Sequence, residues 1–328
     1  MTLAVVGAGA WGTTLACVAS QNTDVILYTR RSERAEDMQS TRINSQYLPD
    51  VTLPDPIMVT AEESLVAQAD HVIFAVPSIG FRDSITQFSF LRPDVPYVSV
   101  TKGLEQETNL RMSQVIAQAD PRRSGVHTAV IGGPNLAHEI ATGHPAATLV
   151  ACTDNEIALS LQTVLMTQTF RVYTTDDVVG CEIGGVAKNV VAIAVGIGDG
   201  LGYGDNAKAA VMTRALAEIT RLGVAEGGDK TTFSGLAGIG DLIATCASPL
   251  SRNRTVGFLL GQGKSLKEIQ GTSHDIAEGV YSARALSSRA QSLNIDMPIV
   301  TAVAKVIETG VVSPDAVERL MTRPAARE

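Results

Sequence analysis

Three glycines near the start of the chain have the spacing of a phosphate-binding turn. Gly7, Gly9 and Gly12 follow a short apolar run in the pattern G-x-G-x-x-G, and a segment of small residues with helical character comes next. The first glycine permits a tight turn, the second leaves room for phosphates, and the third lets the helix pack closely on its strand. A strand, a turn and a helix N-terminus in this order predict a dinucleotide site. A purely structural turn is the alternative.

Two lysines stand where they could act on a ligand: Lys102 could pair with a phosphate, and Lys188 could transfer a proton. Lys102 follows the apolar run 97–100, and Lys188 stands at the head of a run that is apolar nearly all round, so its helix should be buried. Burial disfavours the charged form of lysine and lowers its pKa into a range useful for proton transfer. The alternatives are a surface position for Lys102 and, for Lys188, an ammonium that reaches the surface.

Two polar clusters in the second half could serve the same site. Asp241 stands at a glycine-rich helix start, where an aspartate is commonly an N-cap. Ser251, Arg252 and Asn253 directly precede a predicted helix, an arrangement that suits a phosphate group. Arg254 is expected to face solvent or to form a structural pair.

Short apolar runs that alternate with helical segments organise the first half of the chain. Segments 44–49 and 54–56 are predicted to be loop. The predicted strands are 3–6, 24–29, 57–60, 71–77, 97–100, 128–131, 146–151 and 170–173. This alternation predicts an α/β fold with a doubly wound, mostly parallel sheet of the Rossmann type.

The pattern changes near residues 174–177, and beyond them we find only segments of helical periodicity. The chain has 328 residues, 45% of them hydrophobic, which is enough for two cores. We therefore expect a dinucleotide-binding domain over residues 1–175 and an all-α substrate and catalytic domain over residues 176–328.

Two features at strand ends bear on what the sheet binds. Ligands of such sheets lie beyond the carboxyl ends of the strands, so the loops 101–103 and 132–135 should face the site. Arg30 and Arg31 follow the second strand, with no acid until Glu33. An acid there selects NAD, whereas arginine accommodates a 2′-phosphate, so the sequence favours NADP or dual use. A solvated basic corner is the alternative.

Composition excludes several classes of protein. The net charge is −8 and basic residues form only short pairs, so nucleic acid is not an expected partner. The four cysteines are far apart without metal-ligand spacing, so we expect no metal and a reducing compartment. We find neither a basic segment before the first apolar run nor an apolar run approaching a membrane span. We therefore expect a cytoplasmic protein.

Taken in order, the motifs resemble those of the NAD(P)-dependent glycerol-3-phosphate dehydrogenases over essentially the full length. Each motif is weak alone, but the ordered set is specific. The matching segments are 7–13, 44–49, 101–103, 132–139, 188–190, 202–214, 237–242, 251–253 and 277–279.

The resemblance implies a Rossmann domain joined to a helical domain of the 6-phosphogluconate-dehydrogenase-like type, with the active site between them. It also implies a homodimer. The implied activity is reversible hydride transfer between NAD or NADP and C2 of dihydroxyacetone phosphate. The product would be sn-glycerol 3-phosphate, a precursor for phospholipid synthesis.

The resemblance also assigns roles to residues by position. Lys188 is similar to the family's catalytic lysine, which protonates the developing alkoxide. The implied catalytic residues are Lys188, Lys102, Asp241, Asn189 and Thr245. The implied substrate-binding residues are Lys102, Gly133, Asn135, Lys188, Asp241, Ser251, Arg252 and Asn253. The implied cofactor-binding residues are Gly7, Gly9, Ala10, Trp11, Gly12, Arg30, Arg31, Tyr47, Lys102, Ala137, Arg252, Ile276 and Glu278.

Two positions depart from the family pattern. Asn135 stands where Ser or Thr is expected, and the segment 281–283 has Ser where Thr precedes Ala. Two other functions remain open from the residues alone. One is a related two-domain NADP-dependent reductase of another small hydroxy or keto substrate, and the other is a dinucleotide sensor without catalysis.

Overall fold

An eight-stranded sheet forms the first half of the protein. The computed structural model describes residues 1–123, 128–272, 277–310 and 312. The strand order is β10-β9-β8-β7-β6-β1-β2-β5, and β3 pairs with β4 in a separate hairpin. The strands are β1 Thr2–Val6, β2 Asp24–Tyr28, β3 Ile43–Asn44, β4 Leu48–Thr52, β5 Ile57–Thr60, β6 His71–Phe74, β7 Tyr97–Ser99, β8 Thr128–Gly132, β9 Ala146–Cys152 and β10 Phe170–Thr175.

Within the large sheet, all pairs are parallel except the antiparallel pair β8–β9. Alternate residues of β1 enter different cores: Leu3 and Val5 face one hydrophobic cluster, and Ala4 and Val6 face another. Helices therefore cover both faces, and the predicted doubly wound, mostly parallel sheet is confirmed.

Helices connect most of the strands. They are α1 Ala10–Ala19, α2 Ser32–Thr41, α3 Glu63–Val66, α4 Phe81–Gln87, α5 Met112–Ala119, α6 Ala137–Ala141 and α7 Asn155–Leu165. The strand order reverses at β1, with β2 on one side and β6 on the other. The crevice at the carboxyl ends of β1 and β6 is therefore the expected ligand position.

The prediction of loop over 44–49 was correct for the turn at residues 45–47 and wrong for the residues on either side of it. Ile43–Asn44 and Leu48–Thr52 form an antiparallel hairpin. Its side chains at Leu48 and Val51 are buried in the core of the sheet. Burial against the rest of the domain outweighs the weak strand propensity of this proline-containing segment.

The second half is helical, as predicted. Its helices are α8 Val178–Gly200, α9 Asp205–Ala225, α10 Asp241–Ala247, α11 Arg252–Gly261, α12 Leu266–Thr272, α13 Glu278–Ser292 and α14 Pro298–Thr309. A π-helical turn, Leu236–Gly240, leads into α10.

α8 is the central helix of this half. It is the one described helix that is long and apolar enough to cross a membrane, and 83% of its most apolar window is buried inside the protein. Glycines bring α11 close to it: a Cβ at Gly196 would come within 2.1 Å of Arg254 O, and one at Gly257 within 2.1 Å of Ile193 O. α8 is thus a core helix held by direct backbone packing.

Buried ion pairs join the two halves away from the crevice. Arg111, at the start of α5, pairs with Glu182 of α8 and lies 3.5 Å from Glu226. Glu226 also pairs with Arg289 of α13, whose Nη1 donates to Asn109 O at 2.7 Å. Since each buried charge has an opposite partner, this network holds the sheet and the helical half in one orientation.

Cys17, Cys152, Cys181 and Cys246 are all free and buried. Within the described part of the chain, no group of three or more His, Cys, Asp or Glu side chains is arranged to hold a metal ion.

Glu218 on α9 makes the stability of the helical half depend on pH. Its side chain is 2% exposed and accepts hydrogen bonds from the backbone N–H groups of Ile299 and Val300 at the start of α14. Burial raises its pKa from 4.5 to about 7, although these two N–H groups and Arg221 oppose the rise; Asp296 adds to it. The charged form is therefore costly in the folded protein.

We predict that Glu218→Gln removes this pH dependence. Because the folded-state pKa is raised, the stabilising contribution is present below pH 4.5 and is lost as pH rises through about 7. Denaturant unfolding should give the variant and the wild type similar free energies of unfolding at low pH. Well above pH 7, the variant should be more stable than the wild type by about 3 kcal/mol. Glu36→Gln, at an exposed site of α2, is the control. A stability difference that is constant with pH would contradict the prediction.

Candidate active site

The glycine turn has a backbone that only glycine can adopt. Gly7 has a φ of +112°, and a Cβ there would come within 2.5 Å of Ala75 O. A Cβ at Gly12 would come within 1.9 Å of Gly7 O, whereas nothing lies within 4 Å of a Cβ at Gly9. The turn therefore packs tightly against the protein at Gly7 and Gly12 and leaves open space for a ligand at Gly9.

The residues around this turn fit a dinucleotide. The N-terminus of α1 has neither a side-chain cap nor an acidic residue in its first turn, so its N–H groups remain available to an anion. Trp11 Nε1 is buried without a hydrogen-bond partner, so a donor is also available beside the turn. Ala137 begins α6, and its carbonyl accepts from Thr14 of α1 at 3.0 Å, which places Ala137 beside the same helix.

A second set of contacts fixes the backbone of the glycine turn at Ala8. Arg34 donates to Ala8 O at 2.6 Å and to Asn44 Oδ1 at 3.0 Å, and its guanidinium lies 4.8 Å from the centre of the Tyr47 ring. Asn44 Nδ2 also donates to Ala8 O. Sequence reasoning missed Arg34. Its position one helical turn after Arg30 and Arg31 was the available signal.

Arg30 and Arg31 are both exposed after β2. They lie on the side of the glycine turn where the adenosine ribose is expected in this fold. Ile276 lies outside the described residues.

The centre of the candidate site is Asp241, whose two oxygens bind two lysines. Asp241 Oδ2 lies 2.7 Å from Lys102 Nζ, and Oδ1 lies 2.7 Å from Lys188 Nζ. Thr245, one turn further along α10, accepts from Lys188 Nζ at 2.8 Å and donates to Asp241 Oδ1 at 3.2 Å. Lys102 Nζ also donates to Gly133 O at 2.8 Å. The loops of the sheet and the helical half thus meet at one buried carboxylate.

Burial and charge set the protonation of this cluster. Burial lowers the pKa of Lys188 from 10.5 to about 8, partly opposed by Asp241, while the charge of Lys102 lowers it further. For Asp241, burial raises the pKa, but the ammonium groups of Lys102 and Lys188 outweigh it and hold the pKa below its usual value. Asp241 is therefore ionised at neutral pH, and Lys188 can gain or lose a proton close to it.

The structure decides between the interpretations left open for Lys188 and Asp241. Lys188 lies ten residues inside α8, which begins at Val178, and its side chain is buried rather than extended to the surface. Asp241 is not an N-cap, because the chain enters α10 through the π-helical turn with Gly240 at the N-cap position. Its carboxylate is consequently free to bind both lysines.

Amide side chains extend the cluster into the helical half. Asn189 Nδ2 donates to Lys102 O at 3.0 Å and its Oδ1 accepts from Asn253 Nδ2 at 3.0 Å. Asn253 Oδ1 in turn accepts from the backbone N–H of Gly279 at 2.9 Å. This chain of hydrogen bonds fixes the loop of Lys102 relative to α8, α11 and α13.

The remaining polar candidates line the same region. Asn135 Nδ2 donates to Thr148 Oγ1 at 3.0 Å, while Asn135 Oδ1 is buried without a partner. Ser251 caps α11 by accepting from the backbone N–H of Arg254. Arg252 is exposed in the first turn of α11. Burial raises the pKa of Glu278, and the charge of Arg252 partly opposes this rise. Arg254 forms a structural pair with Asp199 at 2.7 Å, as expected.

Both halves of the chain match one protein family. Residues 2–158 match the NAD-dependent glycerol-3-phosphate dehydrogenase N-terminus, and residues 177–318 match the C-terminus of the same enzyme. The chain belongs to the NAD-dependent glycerol-3-phosphate dehydrogenase family. The predicted family and its NAD(P)-dependent oxidoreductase class are thereby confirmed.

Individual members of the glycerol-3-phosphate dehydrogenase family are similar to this chain over nearly its full length. The glycerol-3-phosphate dehydrogenase (NAD(P)+) of Corynebacterium kroppenstedtii is 49% identical over 332 residues, covering 100% of both chains. That of Streptomyces avermitilis is 46% identical, covering 99% of this chain and 97% of the relative. The crystal structure of glycerol-3-phosphate dehydrogenase from Coxiella burnetii has a TM-score of 0.92 at 35% identity, covering 98% of this chain and 99% of that one.

More distant structures share the fold of the family. A ketopantoate reductase from Ralstonia eutropha superposes with a TM-score of 0.61 at 17% identity, covering 94% of this chain and 98% of that one. This likeness concerns the two-part architecture alone.

Proposed function

We propose that this enzyme catalyses reversible hydride transfer between NAD or NADP and C2 of dihydroxyacetone phosphate, forming sn-glycerol 3-phosphate. The observation that carries the proposal is the Lys102–Asp241–Lys188 cluster, buried where the sheet loops meet the helical half. Reduction of a ketone places negative charge on its oxygen, so a positioned cation or acid is required there. The bound nicotinamide supplies or accepts the hydride.

Lys188 is the proposed general acid and base. Its Nζ is held by Asp241 and Thr245, and its pKa near 8 allows it to donate a proton to the substrate oxygen or to accept one in the reverse direction. Asp241 keeps both lysines in place and offsets their mutual repulsion. Lys102 lies against Gly133 O and is proposed to contact both substrate and cofactor. Asn189 and Thr245 complete the catalytic set.

The substrate phosphate is proposed to bind at the start of α11. Arg252 supplies a charged fork, and the helix N-terminus adds oriented N–H groups. Ser251 and Asn253 flank it, and Gly133 and Asn135 line the opposite side. The unpartnered Asn135 Oδ1 is an acceptor, so it supports a ligand group that donates a hydrogen bond there, such as a substrate hydroxyl.

The cofactor is proposed to lie across the glycine turn. The pyrophosphate would bind at Gly7, Gly9 and Gly12, beside Ala10, Trp11 and Ala137. Arg30 and Arg31 would bind the 2′-phosphate of NADP, near Tyr47. The residues that would contact the nicotinamide half are Lys102, Arg252, Ile276 and Glu278. We expect NADPH to be used at least as well as NADH.

The finer organisation is also proposed. Residues 1–175 would form the dinucleotide-binding domain and residues 176–328 the catalytic domain, since β10 ends at Thr175 and α8 begins at Val178. We propose a cytoplasmic homodimer that supplies glycerol 3-phosphate for phospholipid synthesis. Exposed Leu201 and Tyr203, ahead of α9, support a contact surface for a second copy.

Initial rates with dihydroxyacetone phosphate and either NADH or NADPH test the function. Oxidation of the reduced nicotinamide is followed by absorbance. Turnover with NADPH supports the proposal, and absence of turnover with both cofactors would refute it. A strong preference for NADH would mean that Arg30 and Arg31 point away from the ribose.

We predict that Arg252→Ala raises the KM for dihydroxyacetone phosphate by about 10-fold to 100-fold, because a charged hydrogen bond to phosphate is lost. Steady-state kinetics at saturating NADPH measure the effect. Arg284→Ala, at an exposed site of α13, is the matched control. An unchanged KM would show that another group binds the phosphate and would favour a substrate without one.

A further inference from the structure

One hydrogen-bonded pair joins the two halves directly at the cofactor crevice. Ser78 donates from its backbone N–H to Glu278 Oε1 at 2.9 Å and from its hydroxyl to Glu278 Oε2 at 2.6 Å. The two residues are 200 positions apart in the chain. Ser78 follows β6 in the sheet, and Glu278 begins α13 in the helical half.

The pair lies at the point where the strand order reverses. Ser78 comes four residues after the end of β6, and the neighbouring Ala75 O packs against Gly7 of the glycine turn. Glu278 is buried enough that desolvation raises its pKa, although the two hydrogen bonds from Ser78 and the charge of Arg252 oppose the rise. The two hydrogen bonds from Ser78 therefore fix the position of the Glu278 carboxylate at the edge of this crevice.

The Glu278 carboxylate also packs closely against the loop that carries Lys102. A Cβ at Gly103 would come within 2.4 Å of Glu278 Oε2 and within 2.8 Å of Ser78 Oγ, so glycine is needed for this close approach. The loop has two further ties: Thr101 Oγ1 donates to Val76 O at 2.6 Å, and Lys102 O accepts from Asn189. Glu278 therefore provides a third constraint on the backbone from which Lys102 projects.

We propose that Ser78 is a positioning residue for hydride transfer, which fixes the Glu278 carboxylate against Gly103 and thereby sets the distance between the cofactor and Lys102. The proposal rests on the proposed roles of Lys102 and Glu278. Ser78 acts on the reacting geometry through Glu278 and touches no reacting atom itself. Small displacements at a reacting centre are costly, because catalysis depends on near-attack geometry.

Ser78 could instead merely hold the two halves together. The interdomain network of Arg111, Glu182, Glu226 and Arg289 already does this at another place. Loss of Ser78 Oγ should therefore leave the fold intact, and its effect should appear in the rate of the chemical step. Loss of folded enzyme would instead reduce the amount of active protein.

Single-turnover kinetics separate these two roles. Enzyme saturated with NADPH is mixed with saturating dihydroxyacetone phosphate in a stopped-flow spectrometer. For Ser78→Ala we expect the first-turnover rate constant to fall by about 10-fold to 100-fold at unchanged amplitude. The Kd for NADPH should change by less than about 3-fold, since the dinucleotide is held mainly at the glycine turn. An unchanged rate constant, or a reduced amplitude at unchanged rate constant, would overturn the proposal.

A double-mutant cycle tests whether Ser78 acts through Glu278. Glu278→Gln keeps the shape but leaves only one good acceptor for the two Ser78 donors. If the residues act as a unit, the double variant is no slower than the slower single variant. Multiplicative effects would overturn the proposal. Ser84→Ala in α4 loses only a hydroxyl that donates to Gly80 O; it is the control and should match the wild type. Wild-type turnover tests the proposed function separately.

Discussion

Lys188→Ala should lower kcat for dihydroxyacetone phosphate reduction by about 100-fold to 10,000-fold, the range expected for loss of a general acid. The Kd for NADPH, measured by fluorescence titration, should stay nearly unchanged, since Lys188 contacts Asp241 and Thr245 rather than the glycine turn. Lys267→Ala, at an exposed site of α12, should behave as the wild type. Equal activity in Lys188→Ala would remove this residue from the mechanism.

The pH dependence of the wild type should carry the signature of Lys188. Its pKa of about 8 means that the ammonium needed for ketone reduction is lost as pH rises through that value. Reduction should therefore slow above about pH 8, while glycerol 3-phosphate oxidation, which needs the neutral amine, should accelerate over the same range. Both pH-dependent changes in rate should disappear in Lys188→Ala.

Asp241→Asn should have the second largest effect, with kcat lower by about 100-fold or more. The carboxylate is 1% exposed and binds two ammonium groups, so its neutralisation leaves both lysines without their counter-charge. The cost in folding free energy should be about 3 to 5 kcal/mol, measured by denaturant unfolding.

The same variant should also move the pH profile. Asp241 is the main group that opposes the lowering of the Lys188 pKa, so its loss should shift the alkaline limb of the reduction rate to a lower pH. Asp205→Asn, at a fully exposed site of α9, is the control for a charge change without burial. An unshifted limb would show that another group titrates.

Much of the fold follows from local pattern. The continuous apolar runs of β1, β6 and β7 predict buried parallel strands, because both faces of such a sheet are covered. The hairpin of β3 and β4 could not be predicted in this way. The two buried side chains of β4, Leu48 and Val51, are separated by Pro49 and Asp50, and only packing against the sheet decides their conformation.

The neighbours of Lys188 show what the sequence pattern leaves undecided. Gly184 lies inside α8, and a Cβ there would come within 2.4 Å of Ala237 O. Glycine at this position lets the π-helical turn that carries the chain to Asp241 approach α8. The sequence predicts the helix, but not which turn packs against it.

The sequence by itself determined the glycine turn, the alternating strands and helices of the large sheet, the helical second half and the kinds of reactive side chain, since each depends on neighbours along the chain. Only the tertiary structure decided which groups meet. Lys102 and Asp241 are 139 residues apart, and Ser78 and Glu278 are 200 apart. The pKa of Lys188 is likewise lowered by burial and by the charge of the distant Lys102, and the equally distant Asp241 partly opposes this lowering. Proximity and desolvation are properties of the packed molecule, which no local pattern contains.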